Sequence, residues 1–391
     1  MLGTACFVYV TAETIPVGLL PQIAGGLAVS EAAVGLLLTS YAVVAALTTI
    51  PLTALTMRIP RQLLIAATVA IFAISQLIAA FAATFQILTL SRLICAVAHG
   101  VFWSAIAPVA ARLVPPDRAG RATALVFLGN SLAIVLGVPL GTALGQWLGW
   151  RAALAVLALG GAACVVALLM VLPKLPALPQ DLAVRAGAHF KASVRIIRDG
   201  PVAAVCLVTV VLVIGHFSAY TYLAPLVRRD GGLEGLGLSA LLLGYGAAGV
   251  VGNAIVGRFV DRRPGPLLVT LTALMALSLV VLVPVLGTVP TVLAALVWGG
   301  TFTAIPAVLQ ATILRVAPQA RDAASAVYVV AFQIGIGGGA LLGERLVSAA
   351  HLPWLPVLAT VLTVAATLAV LAARQTFPAD AQLPDPRPAA A

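Results

Sequence analysis

The sequence predicts an all-α integral membrane protein of about twelve transmembrane helices, arranged as two six-helix bundles. Of the 391 residues, 62% are hydrophobic and only 9% are charged, and the mean hydropathy is +1.13. The apolar residues come in runs of about 20, the length of helix that crosses a hydrocarbon core of about 30 Å. A soluble globule needs far more charge, so this composition excludes a secreted disulfide module, a DNA-binding domain and a disordered scaffold.

Twelve apolar runs follow one another along the chain, separated by short breaks that are basic or rich in Pro and Gly. We number the expected spans 1 to 12 in the order 2–22, 31–56, 62–83, 86–113, 120–145, 150–172, 201–227, 238–258, 265–286, 289–315, 321–347 and 353–373. The longest polar break separates the first six spans from the last six. We therefore expect an N-terminal bundle over 1–172, a linker over 173–200, a C-terminal bundle over 201–373 and a tail over 374–391.

The net charge of +10 indicates membrane topology rather than a nucleic-acid partner. Alternate loops and the tail hold 17 of the 22 Lys and Arg, and the other five are Arg92, Arg151, Arg228, Arg229 and Arg345. Because basic residues resist translocation, we expect loops 2–3, 4–5, 6–7, 8–9 and 10–11 and both termini to be cytoplasmic. The chain opens at Met1 inside an apolar run, so we also expect a short cytoplasmic leader ahead of it.

The two halves resemble each other in sequence. Arg112, Pro115 and Arg118 recur 203 positions later as Arg315, Pro318 and Arg321, each set just after the fourth span of its half. The segment 257–264 aligns in the same way with 53–60 at an offset of 204. A parallel repeat of six helices predicts two bundles about an axis along the membrane normal, with a substrate site between them near mid-depth.

These motifs resemble the major facilitator superfamily, and within it the twelve-span drug:proton antiporters, over nearly the whole chain. The motif-bearing positions are Gly257, Asp261 and Arg262 for the cytoplasmic G-x-x-x-D-R motif, Arg92 for the arginine motif of helix 4, and Gly137, Pro139 and Gly141 for the antiporter motif of helix 5. The first-half copy of the cytoplasmic motif is degraded, with Thr53 and Met57 in place of its Gly and Asp.

Three further segments are more narrowly similar to bacterial sugar-efflux and arabinose-efflux transporters: 13–21, 99–104 and 216–222. The resemblance implies a monomeric secondary active exporter of the bacterial inner membrane, without a cofactor. It would exchange a small polar substrate, a sugar or related metabolite, for external protons. Alternatives of the same fold are a multidrug, antibiotic or nucleoside exporter and an importer. An integral membrane enzyme is the alternative of another class, disfavoured by four scattered histidines and few acids.

Glu13 lies close to the middle of span 1, where a carboxylate costs about 2.5 to 3.5 kcal/mol on insertion scales. Proton coupling would explain its presence, because a carboxylate in a low-dielectric site can load and unload protons as water access alternates. The alternative is a buried acid that is permanently protonated or bonded to a helix hydroxyl.

His99 and His216 stand in spans 4 and 7, one in each expected bundle. An imidazole titrates near physiological pH, so either residue could relay protons or bind a hydroxylated substrate. Either could equally be a neutral histidine bonded to a neighbouring helix. No Cys or carboxylate keeps ligand spacing with them, so we expect no metal site. Arg92, near the outer end of span 4, is either a coupling residue, as the resemblance implies, or an interfacial anchor.

Polar and aromatic side chains within the spans suit a cavity for an uncharged polar ligand. The candidates for its lining are Trp103, Asn130, Tyr220 and Gln310. Interhelical hydrogen bonds are the alternative role for each of them.

Two glycine stripes indicate close helix packing. Small residues recur every fourth position in span 5, from Gly129 through Gly137 and Gly141 to Gly145, and in span 11 at Gly335, Gly339 and Gly343. Bundles that rock against each other need such smooth surfaces, and Pro139 adds a kink.

Two expectations concern the cytoplasmic side. By the family resemblance, Asp261 is a conformational latch that holds this side of the second bundle closed, and Met57 leaves the first half without an equivalent. Residues 189–199 should form an amphipathic helix on the inner membrane surface, with Phe190, Val194 and Ile197 on one face and basic residues on another. A flexible charged linker is the alternative.

The topology predicts which loops an impermeant thiol reagent can reach. Single cysteines at Arg61, Arg195 and Arg263, in a chain without its native cysteines, should resist labelling in intact cells because their loops are cytoplasmic. Labelling from outside at these positions would overturn the topology.

Overall fold

The computed structural model describes residues 1–29, 31–176, 195–196, 198–233 and 235–380, and these residues form helices and loops without a β-strand. The first half contains α1 (Leu2–Gly18), α2 (Leu20–Leu27), α3 (Glu31–Thr56), α4 (Arg61–Ala80), α5 (Phe85–Arg112), α6 (Ala119–Leu132), α7 (Val138–Leu148) and α8 (Trp150–Val171). The second half contains α9 (Gly200–Tyr220), α10 (Leu223–Gly231), α11 (Gly235–Phe259), α12 (Pro264–Val281), α13 (Thr288–Phe302), α14 (Ile305–Val316), α15 (Arg321–Ser348) and α16 (Trp354–Ala372). Most of the expected amphipathic segment at 189–199 lies outside the described residues.

The helices confirm the predicted all-α membrane fold. Ten described helical segments are long and apolar enough to cross a bilayer, and the two other expected spans contain the shorter apolar stretches Leu2–Glu13 and Ser40–Thr56. Large apolar side chains such as Leu47, Trp147 and Met170 are exposed on the outer surface, where lipid chains can cover them.

Four of the twelve spans are each built from two helices: spans 1, 5, 7 and 10. A proline lies within the first three residues of the second helix in every case, at Pro21, Pro139, Pro225 and Pro306. Proline has no N–H to continue the ladder of the preceding helix but fits the first turn of a new one. In span 5 the break is a π-helical turn over Ala133–Gly137. The carbonyl of Val135 lacks its usual donor there because residue i+4 is Pro139.

The loops that hold most of the basic residues meet at one end of the molecule, which we call the basic face. The Arg61 amide donates to the Leu175 carbonyl at 3.1 Å, and the Gly265 amide donates to the Pro378 carbonyl at 3.1 Å. The first contact joins loops 2–3 and 6–7, and the second joins loop 8–9 and the tail. Arg315 at the start of loop 10–11 donates to the Val260 carbonyl beside loop 8–9 at 3.4 Å. The contact of Asp322 described below joins loop 10–11 to loop 2–3, which places both pairs on the same side. The contacts of Asp261 add loop 4–5.

The buried hydrophobic residues form three clusters. Two draw only on residues between Leu2 and Leu172, and the third runs from Val202 to Phe377 with a few residues of α5 and α6. Contacts between the halves run along α6 with α11 and along α15 with α3 and α5. The bundle boundaries expected from the sequence remain a prediction.

The glycine stripes pack within each half and not between the halves. In the first half, a Cβ at Gly137, Gly141 or Gly145 would meet Thr11, Ile15 or Leu19 in turn, so the stripe is the surface on which span 1 lies. In the second half, Gly335, Gly339 and Gly343 face α9 in the same way. The close helix packing expected of the stripes is therefore confirmed, because spans 1 and 7 fill their small surfaces, whereas a role of the stripes in rocking remains a prediction.

Replacing one stripe glycine should destabilise the protein more than replacing its off-stripe neighbour. A Cβ at Gly339 would lie 2.7 Å from the Ile214 carbonyl oxygen, whereas a Cβ at Gly337 has nothing within 4 Å. Gly339→Ala should lower the melting temperature in detergent, at a cost of about 1 to 3 kcal/mol from overpacking. Gly337→Ala should leave the melting temperature unchanged or raise it, because Ala favours helix. Equal melting temperatures for the two variants would contradict this packing.

Candidate functional site

Glu13 and His99 meet between α1 and α5. Glu13 Oε2 lies 3.6 Å from His99 Nδ1, and the side chain of Glu13 is 24% exposed whereas that of His99 is 5% exposed. The carboxyl group is thus at the edge of a buried polar cluster and is less covered by protein than the ring behind it. A carboxyl group in that position can pass its proton outward or to the ring.

Arg92 holds the helix that carries Glu13. Its guanidinium is buried and donates to the Ala12 carbonyl at 2.9 Å and to the Glu13 carbonyl at 3.1 Å. Residue i+4 from Ala12 is Pro16, which has no N–H, so the Ala12 carbonyl needs a donor from elsewhere. Arg92 is therefore not the snorkelling anchor that its position in the span allowed, because its charged end is bonded inside the protein.

Tyr41 on α3 completes this cluster, although no sequence pattern distinguishes it. Its hydroxyl oxygen lies 2.9 Å from His99 Nδ1, and Arg92 stands 4.9 Å from the centre of its ring. A tyrosine in an apolar span looks like any other packing aromatic, so only the tertiary contact identifies it. Three of the four expected coupling residues, Glu13, His99 and Arg92, are thus close together with Tyr41.

His216, the fourth, lies in a different environment in the second half. Its Nδ1 accepts a hydrogen bond from Trp298 Nε1 at 3.1 Å, and its ring stacks on Phe302 and on Tyr220. A protonated imidazole has no acceptor nitrogen, so this bond requires the neutral ring. The arrangement corresponds to the alternative in which His216 is a neutral histidine bonded to a neighbouring helix.

The expected cavity residues divide into two groups. Trp103 is half-buried, with its ring centre 6.1 Å from that of His99, and Asn130 and Tyr220 are also half-buried. Gln310 is buried and donates to Ser325 Oγ at 2.8 Å. This bond joins α14 to α15 and corresponds to the alternative role of an interhelical hydrogen bond, and the assignment of Gln310 to the cavity remains a prediction.

Asp261 bonds to the opposite half at the basic face. Its carboxylate accepts hydrogen bonds from the backbone N–H groups of Gly120 at 2.6 Å and Arg121 at 2.8 Å. These are free donors in the first turn of α6, where the helix dipole also favours a negative charge. A side chain at Gly120 would collide with the carboxylate. Burial raises the pKa of Asp261, and the two N–H groups and nearby Arg315 oppose that increase.

The first half also contributes a contact at this face. Arg61 NH2 lies 3.2 Å from Asp322 Oδ2, and both side chains are almost fully buried. The expectation of a one-sided gate is therefore wrong: Met57 has lost the acid, but a basic residue four positions later pairs with an acid in the first turn of α15. Because Arg61 is buried, exposed Arg58 is the better position for a labelling cysteine in loop 2–3.

A third contact between the halves lies deeper in the membrane. Asn253 Nδ2 on α11 donates to Ser131 Oγ on α6 at 2.6 Å and to the Thr303 carbonyl at 3.0 Å. With Asp261, it extends the contact of α6 with α11 from the basic face inward. The basic face is closed in this structure.

Comparison with known proteins agrees with this architecture. A family model described as Major Facilitator Superfamily matches residues 2–340. Chloramphenicol efflux pumps of two Mycobacterium tuberculosis strains are each 41% identical over 356 residues, covering 88% of this chain and 84% of the pump. Among solved structures, the Escherichia coli fucose:proton symporter aligns with a TM-score of 0.75 and 17% identity, over 95% of this chain and 97% of its own. The human organic anion transporter MFSD10 aligns with a TM-score of 0.76 and 16% identity, over 94% of this chain and 97% of its own.

Loss of the Asp261 charge should open the basic face. Asp261→Asn loses a charge-assisted cap worth about 1 to 2 kcal/mol, so the ratio of open to closed molecules should rise about 5- to 30-fold. Spin labels at exposed Ile59 and Gln319, one in each half, would report it as a longer distance population. Asp117→Asn, an exposed acid in the adjacent loop, is the matched control. An unchanged distance distribution in Asp261→Asn would contradict the latch.

Proposed function

The chain belongs to the Major Facilitator Superfamily, a family of membrane transporters rather than enzymes, and we propose that it is a proton-coupled exporter of an uncharged aromatic drug. Chloramphenicol is the first candidate substrate. The observation that carries the proposal is the 41% identity to chloramphenicol efflux pumps across 88% of this chain. The antibiotic-exporter alternative is thereby favoured over the sugar exporter.

The chemistry of the interior supports an aromatic substrate. Trp103 in the first half and Tyr220 in the second are half-buried rings, and each belongs to an aromatic cluster. Such rings stack on a nitrophenyl group, and an amide such as Asn130 can bond to hydroxyl groups. Chloramphenicol offers both features and carries no charge. A sugar offers hydroxyl groups without the aromatic ring.

Proton coupling is assigned to Glu13. Its side chain is 24% exposed, and its carboxyl group lies 3.6 Å from the buried His99. A carboxylate in that position can be protonated from one face of the membrane and deprotonated to the other as the halves rock about the central site. The exchange of protons for drug moves the drug outward when the basic face is cytoplasmic, in the bacterial inner membrane.

The closed basic face gives the cycle a starting state. With Asp261 bonded to α6 and Arg61 paired with Asp322, substrate has no path on that side, so Glu13 exchanges protons with the opposite side. Opening requires both contacts to break together. Substrate binding must supply that free energy, since a ligand shifts an equilibrium only by its differential affinity for the two states.

Uptake of radiolabelled chloramphenicol into inverted membrane vesicles tests the proposal. With an acid interior, vesicles that contain the protein should accumulate the drug. Glu13→Gln, which mimics the protonated acid, should lose gradient-driven uptake about tenfold or more yet keep drug binding. Glu344→Gln, an exposed acid at the end of α15, should behave like the parent. Full uptake by Glu13→Gln would contradict the assignment of Glu13.

The same vesicles distinguish the substrates. Accumulation of arabinose without chloramphenicol would overturn the drug assignment and favour the sugar exporter. Uptake of chloramphenicol by right-side-out vesicles under an external acid gradient would indicate an importer.

A further inference from the structure

The imidazole of His99 has two oxygen neighbours at one ring nitrogen. Nδ1 lies 2.9 Å from the Tyr41 hydroxyl oxygen and 3.6 Å from Glu13 Oε2. Only the first of these is a hydrogen-bond distance. While Nδ1 accepts a hydrogen from Tyr41 it cannot donate one to the carboxylate. The protonation of Glu13 and the direction of the Tyr41 bond are therefore linked through a single atom.

The surroundings of Tyr41 favour donation to Nδ1. Besides Nδ1, the polar neighbours of its hydroxyl are Cys95 Sγ at 3.7 Å and the Tyr9 hydroxyl, whose own hydrogen goes to the Cys95 carbonyl. An unprotonated imidazole nitrogen is a stronger acceptor than sulfur or a phenol oxygen. The Arg92 guanidinium over the ring draws electron density from the phenol and strengthens its O–H as a donor. The hydrogen on the neutral ring is then at Nε2.

We propose that Tyr41 is a positioning residue of the proton site: by donating to Nδ1 it holds His99 as the Nε2–H tautomer and thereby favours the protonated form of Glu13. When Glu13 releases its proton, the carboxyl hydrogen passes to Nδ1 and the hydrogen on Nε2 leaves to water. The Tyr41 hydroxyl turns from Nδ1 toward Cys95 Sγ. One proton is released, the carboxylate gains a hydrogen bond from Nδ1, and both the ring and the phenol stay neutral.

Several other titratable and charged groups lie near His99 and Tyr41, so the test needs a control for their influence on the His99 tautomer. Those among the described residues are Cys6 and Tyr9 on α1 and Arg92 and Cys95 on α5. The Tyr9 hydroxyl donates to the Cys95 carbonyl at 3.2 Å, and its ring contacts that of His99 only edge-on at 5.8 Å. Because the Tyr9 hydroxyl also bonds to that of Tyr41, the matched control is Tyr328→Phe, which removes a buried hydroxyl that donates to the Pro306 carbonyl at 3.2 Å in the second half.

Nitrogen NMR of the histidine rings measures the tautomer directly in the purified full chain, without substrate, between pH 5 and 9. The His99 signal is assigned by its loss in His99→Gln. In the parent it should change from Nε2–H to Nδ1–H as pH rises. Tyr41→Phe should shift this change toward lower pH by about half a unit to one unit, the effect of losing one hydrogen bond. Tyr328→Phe should leave it unchanged, and Glu13→Gln should remain Nε2–H throughout.

The same tautomer curve in Tyr41→Phe and parent, or an equal shift in Tyr328→Phe, would overturn the inference. If Tyr41→Phe does not fold, a substantial Nδ1–H fraction in Glu13→Gln would overturn it instead. The consequence for transport rests on the proposed function: the pH midpoint of drug uptake should shift in the same direction. A parent that transports no drug but has the tautomer shift would refute the proposed function alone. Glu13-dependent uptake without the tautomer shift would refute this inference alone.

Discussion

The centre of the first half depends on one buried cation, the guanidinium of Arg92. A charged side chain inside a membrane protein is costly unless hydrogen bonds offset the loss of water, and a helix carbonyl opposite a proline is costly unless it finds a new donor. Arg92 and the Ala12 carbonyl satisfy each other. The same side chain bonds the backbone of Glu13 and lies over the ring of Tyr41. The position of the carboxyl group and the donor strength of the phenol both follow from it.

The two halves share an architecture but not a chemistry. In each, the fifth span is a glycine stripe that packs against the first span of its half, and the first span breaks ahead of a proline. In the first half, that span carries a carboxyl group beside a histidine with a hydroxyl donor. In the second half, it carries His216, which an indole N–H and two stacked rings hold in the neutral form. In the proposed function, one half exchanges protons while the other presents aromatic surface.

Much of the fold could be predicted from the sequence, because apolar runs indicate the spans and recurring motifs indicate the repeat. Apolar runs predicted the twelve spans, and the loops predicted to share a side do meet at the basic face. Contacts between distant residues left weaker signals. In the sequence, Arg61 is only a charge that indicates topology, and no pattern singles out Asp322. Their pairing follows from the packing of the two halves, which neither residue indicates alone. Gln310 matched a cavity residue by type, but its partner Ser325 on the next helix could only be seen in three dimensions. Tyr41 had no distinguishing pattern at all.

The central claim is that a single carboxyl group, that of Glu13, releases its proton as the drug binds. The most direct test is to count the protons released into unbuffered detergent solution when the purified protein binds chloramphenicol near neutral pH. The account predicts about one proton per drug molecule for the parent and none for Glu13→Gln, although that variant still binds the drug. Equal release by Glu13→Gln, or binding to the parent without any release, would contradict it.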